Sequence, residues 1–203
     1  PHVAGAATMM RQIHPDWTPA MIKSALMSTS KYMDVWVGDT PAQPLDMGAG
    51  RLDLTHAADP GVILSPPSLS YGWLLQGASK TIEVELKSVA PGDETYRVTS
   101  VDTRGGFSGP PAVSGLTVTP ATVTVPAGGM AKLTVTWNTT GLPVGDAQGY
   151  VVLTGEKYNA HLPAWTRVTP PPAAAEVLVI DAVRTPIGRI RLLIPVELLS
   201  IGS

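Results

Sequence analysis

Four histidines, a few clustered serines and three aspartates are the side chains of this 203-residue chain that could carry chemistry. His2, His14, His56 and His161 are far apart, and no two share the three- or four-residue spacing that puts a pair of imidazoles on one metal. Ser24, Ser28 and Ser30 sit on or just after a helical pattern, without the Gly-x-Ser-x-Gly elbow of a serine hydrolase. Asp46, Asp53 and Asp59 are too spread for a calcium loop, which needs ligands at close alternate positions. Gly48-Ala49-Gly50 lacks the third glycine and the preceding strand of a dinucleotide fingerprint. Cysteine is absent, which removes thiolate zinc sites, cysteine nucleophiles and disulfide scaffolds. Asn138-Thr139-Thr140 has the form of a glycosylation sequon, with meaning only in a eukaryotic secretory route. No metal and no cofactor is expected from this inventory.

Bulk properties narrow the partners. Net charge is −2 and charged residues are 15% of the chain, too balanced for a nucleic-acid groove or a polybasic membrane surface. No run reaches the ~18 apolar residues of a membrane span. Hydrophobic residues make up 44%, which argues against wholesale disorder. Glycine and proline together form about a fifth of the chain, above the ~12% average, so many turns are expected.

The elements that would position those side chains fall into three stretches, 1–61, 62–169 and 170–203. The first is rich in Ala and Met. Val3, Ala6, Ala7, Met10 and Ile13 follow helical spacing, and His14-Pro15 ends that helix, because the residue before proline avoids the α region. Thr18 is placed to cap a second helix with Pro19 in its first position. Ile22, Ala25 and Leu26 form its apolar stripe, with Lys23 outside. These helices need a sheet or further helices to cover them, and neither is expected nearby in this chain. They are accordingly expected to be loosely held.

From about Leu64 the period changes to two. Ile82/Val84/Leu86, Leu133/Val135/Trp137, Leu116/Val118, Val123/Val125 and Tyr96/Val98 alternate with polar residues, and Tyr150–Leu153 reads as a buried strand. Turns fall at Pro91-Gly92-Asp93, Gly105-Gly106, Pro126–Gly129 and Gly141-Leu142-Pro143. Seven or so short strands without an intervening helix predict a β-sandwich, with most of the five tryptophans in its core or interface. The fold class expected is therefore α+β. Thr169–Ala175 reads as a linker, and Val177–Ile180 as a strand opening a short apolar tail.

Pro1-His2-Val3-Ala4-Gly5, then His14-Pro15-Asp16-Trp17-Thr18-Pro19-Ala20 with Ile22–Met27, then Met47–Asp53 and Ala57–Val62, resemble the subtilisin-like serine proteases in three ordered blocks. In that family the nucleophile motif reads Gly-Thr-Ser-Met-Ala, one residue, then Pro-His-Val-Ala-Gly. The resemblance implies that 1–61 is the C-terminal end of the α/β protease domain and that 62–169 is similar to the fibronectin-III-like domain following it in large subtilases. Pro120–Gly128 and Gly149–Thr154 carry the second likeness. It further implies a secreted or cell-surface serine endopeptidase acting on proteins or peptides through a Ser-His-Asp triad. Family order is Asp, His, Ser, so the nucleophile falls about four positions before Pro1 and this chain holds no catalytic residue. Pro1, His2 and Gly5 become structural residues flanking the motif, and His2 a packing residue on a buried helix. The sequence opens at Pro1 on helix-like sequence with no leader pattern, so it reads as a piece of something longer, inactive alone. The rival expectation is a non-catalytic binding or spacer module built on the sandwich. A weaker likeness lies in Glu176–Gly188, which resembles the opening strand of thiolases. Thiolases need a reactive cysteine and several hundred residues, so that stretch is better read as a truncated strand of a following domain or a non-native end.

Overall fold

The computed structural model of the chain describes residues 1–171, 181–184 and 190–193. Two compact units divide at Thr169/Pro170. In the second, β12 (Asp181–Arg184) and β13 (Ile190–Leu193), numbered after the eleven strands of the first, pair as an antiparallel ribbon. The strand expected at Val177–Ile180 and the linker residues 172–175 lie outside the described residues.

The first unit opens with α1 (His2–Ile13), which ends at His14 in a non-helical conformation before Pro15. The His14 ring then stacks on Trp17 at 3.8 Å, and its Nε2 donates to the Ala58 carbonyl at 2.8 Å. α2 (Pro19–Ser28) starts as expected, with the Thr18 hydroxyl accepting from the Met21 amide and Pro19 in the first turn. A small ribbon, β1 (Trp36–Val37) with β2 (Thr40–Pro41), and two single-turn helices, α3 (Pro44–Met47) and α4 (Leu54–Ala57), complete the segment.

Nine strands follow: β3 (Val62–Ser65), β4 (Leu69–Leu75), β5 (Ser79–Ser88), β6 (Glu94–Val101), β7 (Leu116–Thr119), β8 (Thr122–Val125), β9 (Met130–Asn138), β10 (Gly145–Thr154) and β11 (Asn159–Thr169). They form a four-stranded sheet, β3-β5-β9-β7, and a five-stranded sheet, β4-β11-β10-β6-β8. Pairing is antiparallel except for β4 with β11, which is parallel. The inward-facing alternate residues of both sheets build one core around Trp137, Tyr71, Tyr96, Leu133 and Leu153, all fully buried. The α+β expectation and the sandwich are both present, and strand is the larger part.

Three expectations need correction. The helices do not lack a sheet: α2 packs on β3 and β11 of the same chain. The strand β3 makes this possible, because Val62 and Leu64 enter the sandwich core while Ile63 points the other way, into a second core with Ala6, Met10, Trp17, Ala25 and Leu26. Ser24 adds a hydrogen bond, accepting from the buried Leu64 amide at 2.8 Å. Secondly, the tryptophans do not gather in the sandwich core. Trp137 alone lies there; Trp17 belongs to the helical core, Trp165 is half-buried, and Trp36 and Trp73 are exposed. A register shift opposite Trp165/Thr166 breaks the alternation of β4 after Tyr71, so Trp73 falls on the outer face of this edge strand. Thirdly, α1 is not buried at its start. Pro1 through Gly5 are exposed, and burial begins at Ala6 and Met10. Val3, Met9 and Ile13 stay exposed because α2 and its neighbours cover only one side of the helix.

Candidate functional site

The start of α1 is where the sequence placed the nucleophile's surroundings. The Gly5 amide donates to the Pro1 carbonyl at 2.9 Å, closing the first turn. The remaining first-turn N–H groups point out of the helix end, where its dipole favours negative charge. His2 is exposed and touches no serine or carboxylate by hydrogen bond, so the structure gives it no catalytic partner among the described residues. Beside the helix, an apolar groove of about 670 Å³ runs between α1 and α2, lined by Val3, Ala7, Ile22, Leu26 and Leu52.

Two other histidines meet groups that a triad would use, and neither makes one. His56 Nδ1 lies 2.7 Å from Asp53 Oδ2, and Asp53 also accepts from the Thr55 and His56 amides as the cap of α4. The hydrogen bond from His56 holds the Asp53 carboxyl below its ordinary range. The pair is solvent-facing, with the histidine side chain 72% exposed, and no nucleophile is bonded to it. His161 is the reverse case: it is 3% exposed and its Nε2 lies 3.3 Å from the Ser30 hydroxyl. That nitrogen also meets the Ala49 carbonyl at 2.8 Å. A carbonyl only accepts, so Nε2 carries the proton and cannot act as a base towards Ser30. The Ser30 hydroxyl spends its own proton on the Met27 carbonyl. This is a structural joint, not a dyad.

The joint is extensive. Tyr32 and Tyr150 flank the imidazole, with centroids at 4.4 and 5.6 Å, and they pack on each other at 4.7 Å. The Tyr150 hydroxyl donates to the Gly48 carbonyl at 3.1 Å. Burial lowers the His161 pKa to about 4 and raises that of Tyr32. Gly48-Ala49-Gly50, unfit for a dinucleotide, therefore supplies carbonyls that hold two strand side chains. Gly50 sits at φ +134 with its α-carbon against the Lys31 carbonyl, where a Cβ would not fit. Lys31 and Arg51 bridge there by a reciprocal pair of backbone hydrogen bonds. No local spacing in the sequence encodes this joint, since the partners of His161 lie 112 and 131 residues away.

Of the remaining candidates, Ser28 is buried with a hydroxyl that has no hydrogen-bond partner among the described residues, and Asp59 accepts from the Tyr158 hydroxyl at 3.2 Å. Among the described residues no three His, Asp or Glu side chains group to hold a metal ion, and no helix is long and apolar enough to cross a membrane. Asn138 is exposed at the end of β9 with its side chain accepting from the Thr140 amide, while the Thr139 hydroxyl is tied to the Leu75 carbonyl.

The arrangement defines a helical segment clamped to a two-sheet sandwich, with no assembled catalytic centre among the described residues. Its relatives are proteases. The chain is 38% identical over 97 residues to subtilisin-like protease SBT3 of Solanum lycopersicum, a match covering 44% of this chain and 13% of that protein. It is 44% identical over 70 residues to SBT1.3 of Arabidopsis thaliana, covering 31% of this chain and 9% of that one. A longer alignment, to SBT2.6 of the same plant, is 26% identical over 211 residues and covers 77% of this chain and 25% of the relative. The chain is similar in sequence to subtilisin-like proteases, as its Pro1, Thr18 and Gly48 blocks implied, and spans a quarter or less of the length of these relatives. No family profile matches it. Among solved structures, the Pseudomonas aeruginosa CupB2 chaperone aligns with a TM-score of 0.42 at 14% identity over 52% of this chain and 55% of that one, a likeness too loose to carry an argument.

Proposed function

We propose that this chain is a C-terminal part of a secreted or cell-surface subtilisin-like serine endopeptidase. Residues 1–61 are then the end of the protease domain, 62–169 a fibronectin-III-like sandwich, and 170–203 a linker with a truncated or non-native tail. The observation that carries the reading is the identity to subtilisin-like proteases, 38–44% over 70–97 residues.

In this reading α1 stands directly behind the nucleophile, whose serine precedes Pro1. Pro1, His2 and Gly5 shape the turn that leads into the helix, and Met10 and Ala6 anchor it to α2. A serine at that position benefits from the open N–H groups of the helix start as negative charge develops on the attacked carbonyl. The parent would cleave peptide bonds through an acyl-enzyme, with the triad's Asp and His supplied by earlier sequence. The apolar groove beside α1, with Val3 and Ile13 exposed near it, is the face that the missing protease elements would cover.

A rival reading, a sandwich serving as a non-catalytic binding or spacer module, draws on the sandwich having a closed core of its own. Reading the codons ahead of Pro1 in the parent gene separates the two. A Gly-Thr-Ser-Met-Ala stretch there, with casein cleavage by the extended protein that is lost on Ser→Ala, supports the protease. Absence of a serine from those codons, or serine-inhibitor-sensitive proteolysis by the 203-residue chain alone, overturns it.

A further inference from the structure

Of the buried, uncharged polar contacts between the helical segment and the sandwich, which include Ser24 with the Leu64 amide and Thr103 with the Ala42 carbonyl, the cluster around His161 is the one that carries an imidazole. Strand β11 contributes His161, β10 contributes Tyr150, the turn after α2 contributes Ser30 and Tyr32, and the 48–50 loop contributes two carbonyls. Every hydrogen-bond partner of the imidazole is neutral. Charged and titratable groups line the polar cleft that reaches the joint: Lys31 from the turn after α2, Asp53, His56 and Asp59 from around α4, and Lys157 from the β10–β11 turn. Asp46 of α3 bears on Tyr150 from the other side. None of these is hydrogen-bonded to His161, and no carboxylate among the described residues offsets a charge placed on it.

We propose that the His161 joint is an acid-released latch that frees the helical segment from the sandwich as the surroundings acidify. An imidazolium has two donors and a full charge, and here it would be buried against two tyrosine rings with no counter-ion among the described residues. The carbonyls of Ala49 and Ser28 favour the charged form, but burial outweighs them and keeps the folded pKa at about 4. Once the segment lifts away, His161 lies on an outer strand surface in water, with a pKa of about 6.5. The open state therefore binds the proton more tightly than the closed state. The latch is at full strength above about pH 6.5 and weakens as pH falls towards 4, below which both states are protonated and the effect stops growing. Between pH 7.5 and 4.5 the two pKa values shift the opening equilibrium roughly fifty- to a hundredfold. The proposal stands apart from the protease reading, since it concerns contacts within residues 28–161 alone.

Hydrogen exchange on the whole 203-residue chain, corrected for intrinsic rates, tests it. The Leu64 amide reports the joining of the two parts, because it leaves the sandwich strand β3 to donate to the Ser24 hydroxyl of α2, and the Val135 amide in β9 serves as the internal reference. Protection of Leu64 should fall fifty- to a hundredfold between pH 7.5 and 4.5 while Val135 changes little. His161→Gln keeps an N–H for the Ala49 carbonyl and cannot titrate, so it should flatten that response, whereas His56→Gln should leave it intact. An unprotected Leu64 at pH 7.5, an unchanged protection across the range, or an equal fall in His161→Gln would each overturn the latch. If His161→Gln fails to fold, titration of the His161 ring protons in the unaltered chain decides instead: a pKa below 5 supports the latch, and one near 6.5 refutes it.

Discussion

Single residues in this chain differ sharply in what they hold, and burial sorts them. Trp137 is fully enclosed, edge-on to Tyr71 at 5.3 Å, and its indole N–H donates to the Ser114 carbonyl. Truncating it to alanine removes a large apolar volume and leaves that carbonyl short of a partner, so Trp137→Ala should cost about 3–5 kcal/mol. Trp73 is 78% exposed, and Trp73→Ala should stay within about 0.5 kcal/mol. Urea denaturation of both variants checks the contrast, and similar midpoints would mean the sandwich core is not centred where Trp137 lies. Gly50 is sensitive for a different reason. Its φ of +134 disfavours any side chain, and a Cβ would collide with the Lys31 backbone. Gly50→Ala should destabilise the joint by roughly 1–3 kcal/mol, seen as lost protection at Lys31 before any loss in β9.

At the scale of elements, α2 shows how one helix serves two masters. Thr18 caps its start, and Ser24 in its middle accepts from Leu64 across to β3. Thr18→Ala should cost about 1 kcal/mol. Ser24→Ala leaves the buried Leu64 amide without an acceptor and should cost about 1–3 kcal/mol, with Leu64 exchange rising more than that of Leu133. Equal small losses for both variants would argue that the Ser24 contact is not formed in solution. The cap at Thr18 and the stop at His14-Pro15 were legible in the sequence because both are set by residues within one turn. The alternating strands β5, β6 and β9 were legible for the same reason. β4 was not, because Gly72 at φ +72 and a register shift opposite Trp165/Thr166 break its alternation, turning Trp73 outwards and Leu74 inwards. β3 was hidden as a four-residue run with apolar residues on both faces, each face meeting a different core. The Ser24 and His161 contacts left no trace in local spacing, since only the folded topology brings their partners together.

Across the whole first unit, the two cores make unequal claims on stability. The sandwich closes around its own alternating residues, while the helical core borrows Ile63 from the sandwich and leaves Val3, Met9 and Ile13 in water. Residues 62–169 should therefore melt cooperatively as a separate piece, yet at a lower urea midpoint than the whole chain, because Ile63 and His161 lose their covers. The helical segment has the reverse dependence: without β3 and β11 it keeps too little buried surface to fold. In the intact chain this asymmetry predicts two levels of opening, with amides of α1 exchanging through a local event well below the global free energy and those of β9 only near it. Native-state exchange against urea reads both. Amides of α1 and β9 converging on one opening free energy and one slope would show a single cooperative block and contradict the asymmetry. A covering placed on the α1 groove, such as the protease elements of the proposed parent, should raise the lower level towards the upper one and leave the β9 amides where they are.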